Sequence, residues 1–139
     1  MSSKAFRLFL AAIALTGLAR PSFAHHSTAN YDSDKEIVLK GVVTAWLWGN
    51  PHCILRFDAR DDTRTVRNWA AEAQNPTEMT RRGWSRRSFS VGDMVTVSLK
   101  PGKDGIPIGL IVKAVLPNGQ TFYANGPPAG PGSTTPAQR

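Results

Sequence analysis

Apolar residues crowd residues 37–48 on both parities, stop at Gly49-Asn50-Pro51, and resume in strict alternation. In the first run Ile37, Leu39, Val43 and Leu47 share one face while Val38, Val42, Trp46 and Trp48 share the other, the two-residue period of a strand. Gly41 interrupts that run without a side chain, as a bend or bulge does where a barrel strand must curve. Pro51 removes an amide donor and biases Asn50 towards extended geometry, so the break is a sharp connection between two strands. Beyond it Cys53, Leu55 and Phe57 alternate with His52, Ile54, Arg56 and Asp58 as far as Ala59, which places Cys53 in the core and turns His52 outward.

Asp61-Asp62 opens a polar turn, and residues 66–72 form a third strand. A short helix follows: Asn75 is a good N-cap, Pro76 suits the first helical position, Glu78 lies three residues past the cap, and Gly83 stands where a left-handed residue ends it. Trp84 and Phe89 then plug the helix end against the sheet. Val95, Val97 and Leu99 alternate with Met94, Thr96 and Ser98 in a fourth strand, residues 109–116 make a fifth, and Asn118-Gly119 predicts a two-residue hairpin that folds residues 120–123 back. Three strands, a short helix and two more strands is the order of a mainly β, small five-stranded OB-like Greek-key barrel with one short helix between strands 3 and 4. An open meander packed on one helix is the rival arrangement.

The two ends follow other rules. Lys4 and Arg7 precede an apolar run over residues 8–18, and Ser22-Phe23-Ala24 offers small residues at the positions a signal peptidase reads. The sequence therefore predicts a signal peptide over 1–24 cut after Ala24, an extended N-terminal arm over 25–36, the OB-like barrel over 37–123, and a disordered Pro/Gly/Ser/Thr-rich tail over 124–139. The leader's apolar run is well short of the ~20 residues a membrane span needs, so the expected location is the periplasm or beyond, with no membrane insertion after cleavage. Of the 17 basic residues Lys4, Arg7 and Arg20 fall in the leader, which leaves 14 against 10 acidic ones. That mild excess, concentrated in Arg81, Arg82, Arg86 and Arg87, reads as a solvated face, because an exported protein seldom meets nucleic acid. Cys53 is the single cysteine, so no internal disulfide staples the domain.

Candidate chemistry rests on three histidines. Cleavage after Ala24 makes His25 the first residue, and its α-amine and imidazole, with His26 or His52 as a further nitrogen, form a set that suits tetragonal Cu(II), the tightest of the divalent ions. Nickel or zinc would use the same groups less distinctively. The plain alternative is a polar arm, with His52 capping its turn. One distance weighs against the copper site: the arm and His52 flank a strand of about ten residues, ~33 Å long, so the arm must double back along the barrel. Cys53 faces away from its neighbour His52 and is no shared ligand. Glu72 and Asp93 stand at strand ends where a carboxylate could support a histidine from behind, though a helix start and a turn explain each more simply. Trp46, Trp48 and Asn50 form a candidate ligand-binding patch, with core packing as the commoner fate of indoles in so small a domain. There is no nucleophile elbow, no carboxylate pair, no phosphate-cradling glycine loop and no CxxC, so nothing points to an enzyme.

The mature chain resembles a bacterial family of small exported proteins of unknown function. The resemblance rests on His25-His26-Ser27, Trp48-Gly49-Asn50-Pro51-His52, Asn68-Trp69 with Glu72, Gly83-Trp84, Gly92-Asp93-Met94-Val95-Thr96-Val97 and Leu116-Pro117-Asn118-Gly119. Cys53 stands where that pattern has a plain apolar residue. Membership implies a periplasmic β-barrel and no assigned activity. The expectation is a periplasmic, non-enzymatic binding protein with copper as candidate cofactor and an unidentified periplasmic protein or small ligand as partner. Its competitor is a metal-free interaction module built on Trp46 and Trp48.

Overall fold

A computed structural model describes residues 30–126. The predicted leader, His25 and His26, and the tail beyond residue 126 lie outside them. The described chain runs β1 (Ile37–Leu47), β2 (Ile54–Arg60), β3 (Val66–Glu72), α1 (Pro76–Arg81), β4 (Met94–Pro101), β5 (Ile108–Val115) and β6 (Thr121–Tyr123). Hydrogen bonding gives the order β3-β2-β1-β4-β5-β6, and a parallel pairing of β3 with β5 through Ala70, Ala71 and Glu72 closes the first five strands on themselves. The fold is the five-stranded barrel the alternation predicts, with its one short helix between β3 and β4. Among the described residues no helix is long and apolar enough to cross a membrane.

The barrel closes because one face of each strand is apolar. Leu39 and Val43 from β1, Leu55 and Phe57 from β2, Trp69 and Ala71 from β3, Val95, Val97 and Leu99 from β4, and Ile111 and Ala114 from β5 form a continuous buried cluster, which Cys53 joins with no exposed surface. Burial pushes the Cys53 thiol above its usual range, so it stays a small apolar filler. Helix α1 seals one end much as its punctuation predicts. The Asn75 side chain accepts from the Glu78 amide at 3.0 Å, Gly83 adopts φ +84°, and Met79, Trp84 and Phe89 are buried beneath it.

Four details depart from the sequence reading. First, the faces of β1 exchange partway along. Register slips between Val43 and Ala45 opposite β2, and this bulge turns Trp46 towards the core while leaving Leu47 about half exposed, the reverse of the predicted parity. Second, Gly41 is not the bulge. It serves close approach: a Cβ there would lie 2.2 Å from the Asp58 carbonyl oxygen, where β1 is paired with both β2 and β4. Gly41→Ala must therefore push two strands apart, and thermal unfolding should show a loss of roughly 1–3 kcal/mol, the usual penalty for overpacking. Third, the β5–β6 hairpin has three loop residues, not two. Leu116 accepts from the Gly119 amide at 2.9 Å and donates to Gln120 at 2.9 Å, with Gly119 at φ +86°. Pro117 fits the first turn position and Gly119 the left-handed one that completes a three-residue loop. At the far end Ala124 is buried and donates to Val112, so the barrel extends past the predicted start of the tail.

Candidate functional site

The connection from β1 to β2 carries His52 to the mouth of the barrel. The Asn50–Pro51 peptide is cis, and directly after it the ladder with β3 resumes outside the named strands: Cys53 donates to Gln74 at 3.0 Å and accepts from Ala73 at 2.8 Å. That anchoring sets the His52 ring against the last residue of β3. His52 Nδ1 lies 2.8 Å from Glu72 Oε1 and 3.1 Å from the Ala73 carbonyl oxygen. Both neighbours are acceptors, so Nδ1 carries the hydrogen and the Nε2 lone pair is the one left for a ligand. Among the described residues Nε2 has no hydrogen-bond partner.

The second oxygen of Glu72 is engaged from another direction. Tyr31, only six residues after His25, donates its hydroxyl to Glu72 Oε2. Its ring is 6 % exposed, and burial, reinforced by the Glu72 carboxylate, raises the phenol well above its ordinary range, so it remains a protonated donor. Backbone contacts fix this part of the arm. Tyr31 bridges to Gly102, Asp32 donates to Pro101 at 2.9 Å, Lys103 donates to Asn30 at 3.1 Å, and Lys100 Nζ donates to Ser33 at 2.8 Å. Tyr31 opposite Gly102 continues the antiparallel course set by Ile37 opposite Leu99, and closure of the barrel through β3 and β5 brings it beside the same carboxylate that orients His52.

Around this triad lies a cleft of about 860 Å³ whose walls include Trp48, Asn50, His52, Arg56, Glu72 and Ile106. It spans the β1–β2 loop, the outer face of β2 and β3, and the β4–β5 loop. Trp48 and Asn50 belong to it; Trp46 does not. Trp46 donates Nε1 to the Ser85 carbonyl at 2.9 Å and packs with ring centroids 5.8 Å from Trp84 and 5.2 Å from Phe89, so it secures the segment after α1 to the core. Asp93 accepts from the Ser90 amide at 2.7 Å in its turn, far in sequence and role from the histidine. The arginines divide as well: Arg81 and Arg82 pair with Glu78, whereas Arg86 reaches the Trp48 carbonyl at 3.5 Å. Cys53, one residue from His52, faces the barrel interior.

Among the described residues no three His, Cys, Asp or Glu side chains gather as a metal donor set. They supply one imidazole backed by a carboxylate, the usual support of a metal-bound histidine. His25 and His26 lie outside the described residues. Tyr31 and the apolar cleft residues escaped the sequence reading. Tyr31 sits in an aperiodic segment, and only barrel closure brings Ile106 into one cleft with Leu47.

A family model described as a family of unknown function (DUF6152) matches residues 13–112 of the chain. No curated protein and no solved structure matches it.

Proposed function

The chain belongs to DUF6152, a family without a stated activity, and on its own residues we propose that it is an exported, periplasmic, non-enzymatic binding protein for copper. In this reading His52 Nε2 supplies one nitrogen, a mature N-terminus at His25 supplies its amine and imidazole, and His26 is the alternative imidazole. In this reading His25-His26-Ser27 and Trp48-Gly49-Asn50-Pro51-His52 hold the two halves of one site.

The observation that supports this is the sharing of Glu72. One carboxylate holds the His52 ring through Nδ1 and the Tyr31 hydroxyl through its other oxygen. From Tyr31 back to His25 is six residues, which span at most roughly 20 Å, so the N-terminus is within reach of His52 without crossing the ~33 Å strand. Glu72 also fixes the ring orientation and the tautomer that leaves Nε2 free. An α-amino group titrates at about 7.7–8.0 when free, and a bound metal lowers that, so the amine is available at neutral pH.

Protein purified from the periplasm and titrated with Cu(II) by calorimetry tests the reading. It should bind one ion per chain, and His52→Ala should weaken binding by at least about tenfold, or 1.4 kcal/mol. Absence of binding, or equal affinity in wild type and variant, would overturn the proposal.

A further inference from the structure

The cleft beside His52 has a second wall that copper does not need. The bulge in β1 turns Leu47 outward, the alternation of β2 turns Ile54 outward, and Ile106 of the β4–β5 loop and Ile108 at the start of β5 line the same cleft. Leu47 and Ile106 are each 47 % exposed. Single exposed apolar side chains are ordinary, but several converging on one concavity are not. A volume of about 860 Å³ is that of a small-molecule site, and its concave shape suits a compact organic ligand better than a flat protein partner.

The polar groups at this cleft differ in what they can still offer. Both oxygens of Glu72 are engaged, by His52 and by Tyr31. Arg56, on the outer face of β2 opposite Ala70, is exposed; its guanidinium has one long contact, 3.4 Å to Asn68 Oδ1, and among the described residues no carboxylate partner. A ligand therefore meets apolar walls, the open Nε2 lone pair of His52, which attracts no anion, and the Arg56 guanidinium with a planar fork for a carboxylate.

We propose that this cleft binds an apolar monocarboxylate. Its hydrocarbon body lies against Leu47, Ile54, Ile106 and Ile108, and its carboxylate is held by Arg56. The site does not depend on the copper reading, since no metal takes part in it. Trp48, in the cleft wall with its ring centroid 5.6 Å from that of Trp46 and tilted 59° to it, reports its occupancy.

The test uses the full mature chain in the presence of a chelator, with decanoate as probe and decanol as its neutral counterpart, followed by tryptophan fluorescence and calorimetry. Decanoate should bind saturably, one per chain. Leu47→Asp and Ile106→Asp, both at exposed positions, should each weaken it at least tenfold. Arg56→Gln should weaken decanoate at least tenfold and leave decanol unchanged. Circular dichroism melts of the three variants should match wild type, which separates lost binding from lost fold. The proposal is overturned if decanoate does not saturate, if the Asp variants bind it normally, or if Arg56→Gln leaves it unchanged.

Discussion

Acetylation of the His25 α-amine is expected to weaken Cu(II) binding by at least about a hundredfold, or 2.8 kcal/mol. The modification leaves every imidazole in place and removes only the primary amine at position 25, which becomes an amide nitrogen. An amine and imidazole from one residue close a chelate ring, so losing the amine removes a donor and also the preorganisation it gives the second one. Calorimetric titration of the two forms at equal pH and salt measures the difference. Because the folded barrel begins well after this residue, the thermal midpoints of the metal-free forms should coincide. Equal affinity would exclude the N-terminal amine and leave His52 to bind with side chains alone.

The second large effect concerns the fold. Trp84→Ala should cost about 3–5 kcal/mol, as aromatic-to-alanine changes in cores do, and chemical denaturation measures it. Trp84 is 1 % exposed, with ring centroids 5.7 Å from Phe89 and 5.3 Å from Phe122, and it donates Nε1 to the Tyr123 carbonyl at 3.0 Å. Its backbone amide also donates to Met79 at the end of α1. The side chain thus ties the segment after the helix to the last strand, so a cavity here loosens the two together. Trp84→Phe keeps much of the ring packing and loses the hydrogen bond, leaving a buried carbonyl short of a donor, and should cost about 1–3 kcal/mol. A loss below 1 kcal/mol for Trp84→Ala would mean that the aromatic cluster does not seal the barrel.

The elements visible in the sequence are those whose cause is local. Val95, Val97 and Leu99 announce β4 by alternation alone, and Asn75, Pro76, Glu78 and Gly83 mark the helix by the chemistry of its ends. Cys53 falls in the core because its parity matches Leu55 and Phe57. The failures arise where backbone geometry resets parity or register. Both faces of β1 are apolar, so alternation gave no reason to expect a slip after Val43, and Leu47 and Trp46 exchanged places. Asn118-Gly119 is the strongest two-residue turn signal, yet Pro117 fits a three-residue loop equally well, and that is the turn formed.

The site was legible only in parts. His52 stood out by its rarity, and Glu72 by its place at a strand end. Their 2.8 Å approach depends on the short ladder through Cys53, Ala73 and Gln74, which sequence spacing does not encode. Tyr31 left no signal at all: it precedes β1 in an aperiodic stretch, and its contact with Glu72 joins residues 41 apart. That contact also removes the distance objection read from the sequence. The arm was expected to face a full strand length, whereas Tyr31 already lies against the carboxylate that holds His52.

Continuous-wave electron paramagnetic resonance of the mature protein with one equivalent of Cu(II) tests most directly whether the N-terminus and His52 share an ion. The spectrum should be axial, with superhyperfine splitting from three nitrogens, and His52→Ala should lose one of them. A spectrum identical in wild type and His52→Ala would contradict the account, because the imidazole oriented by Glu72 would then not be a ligand.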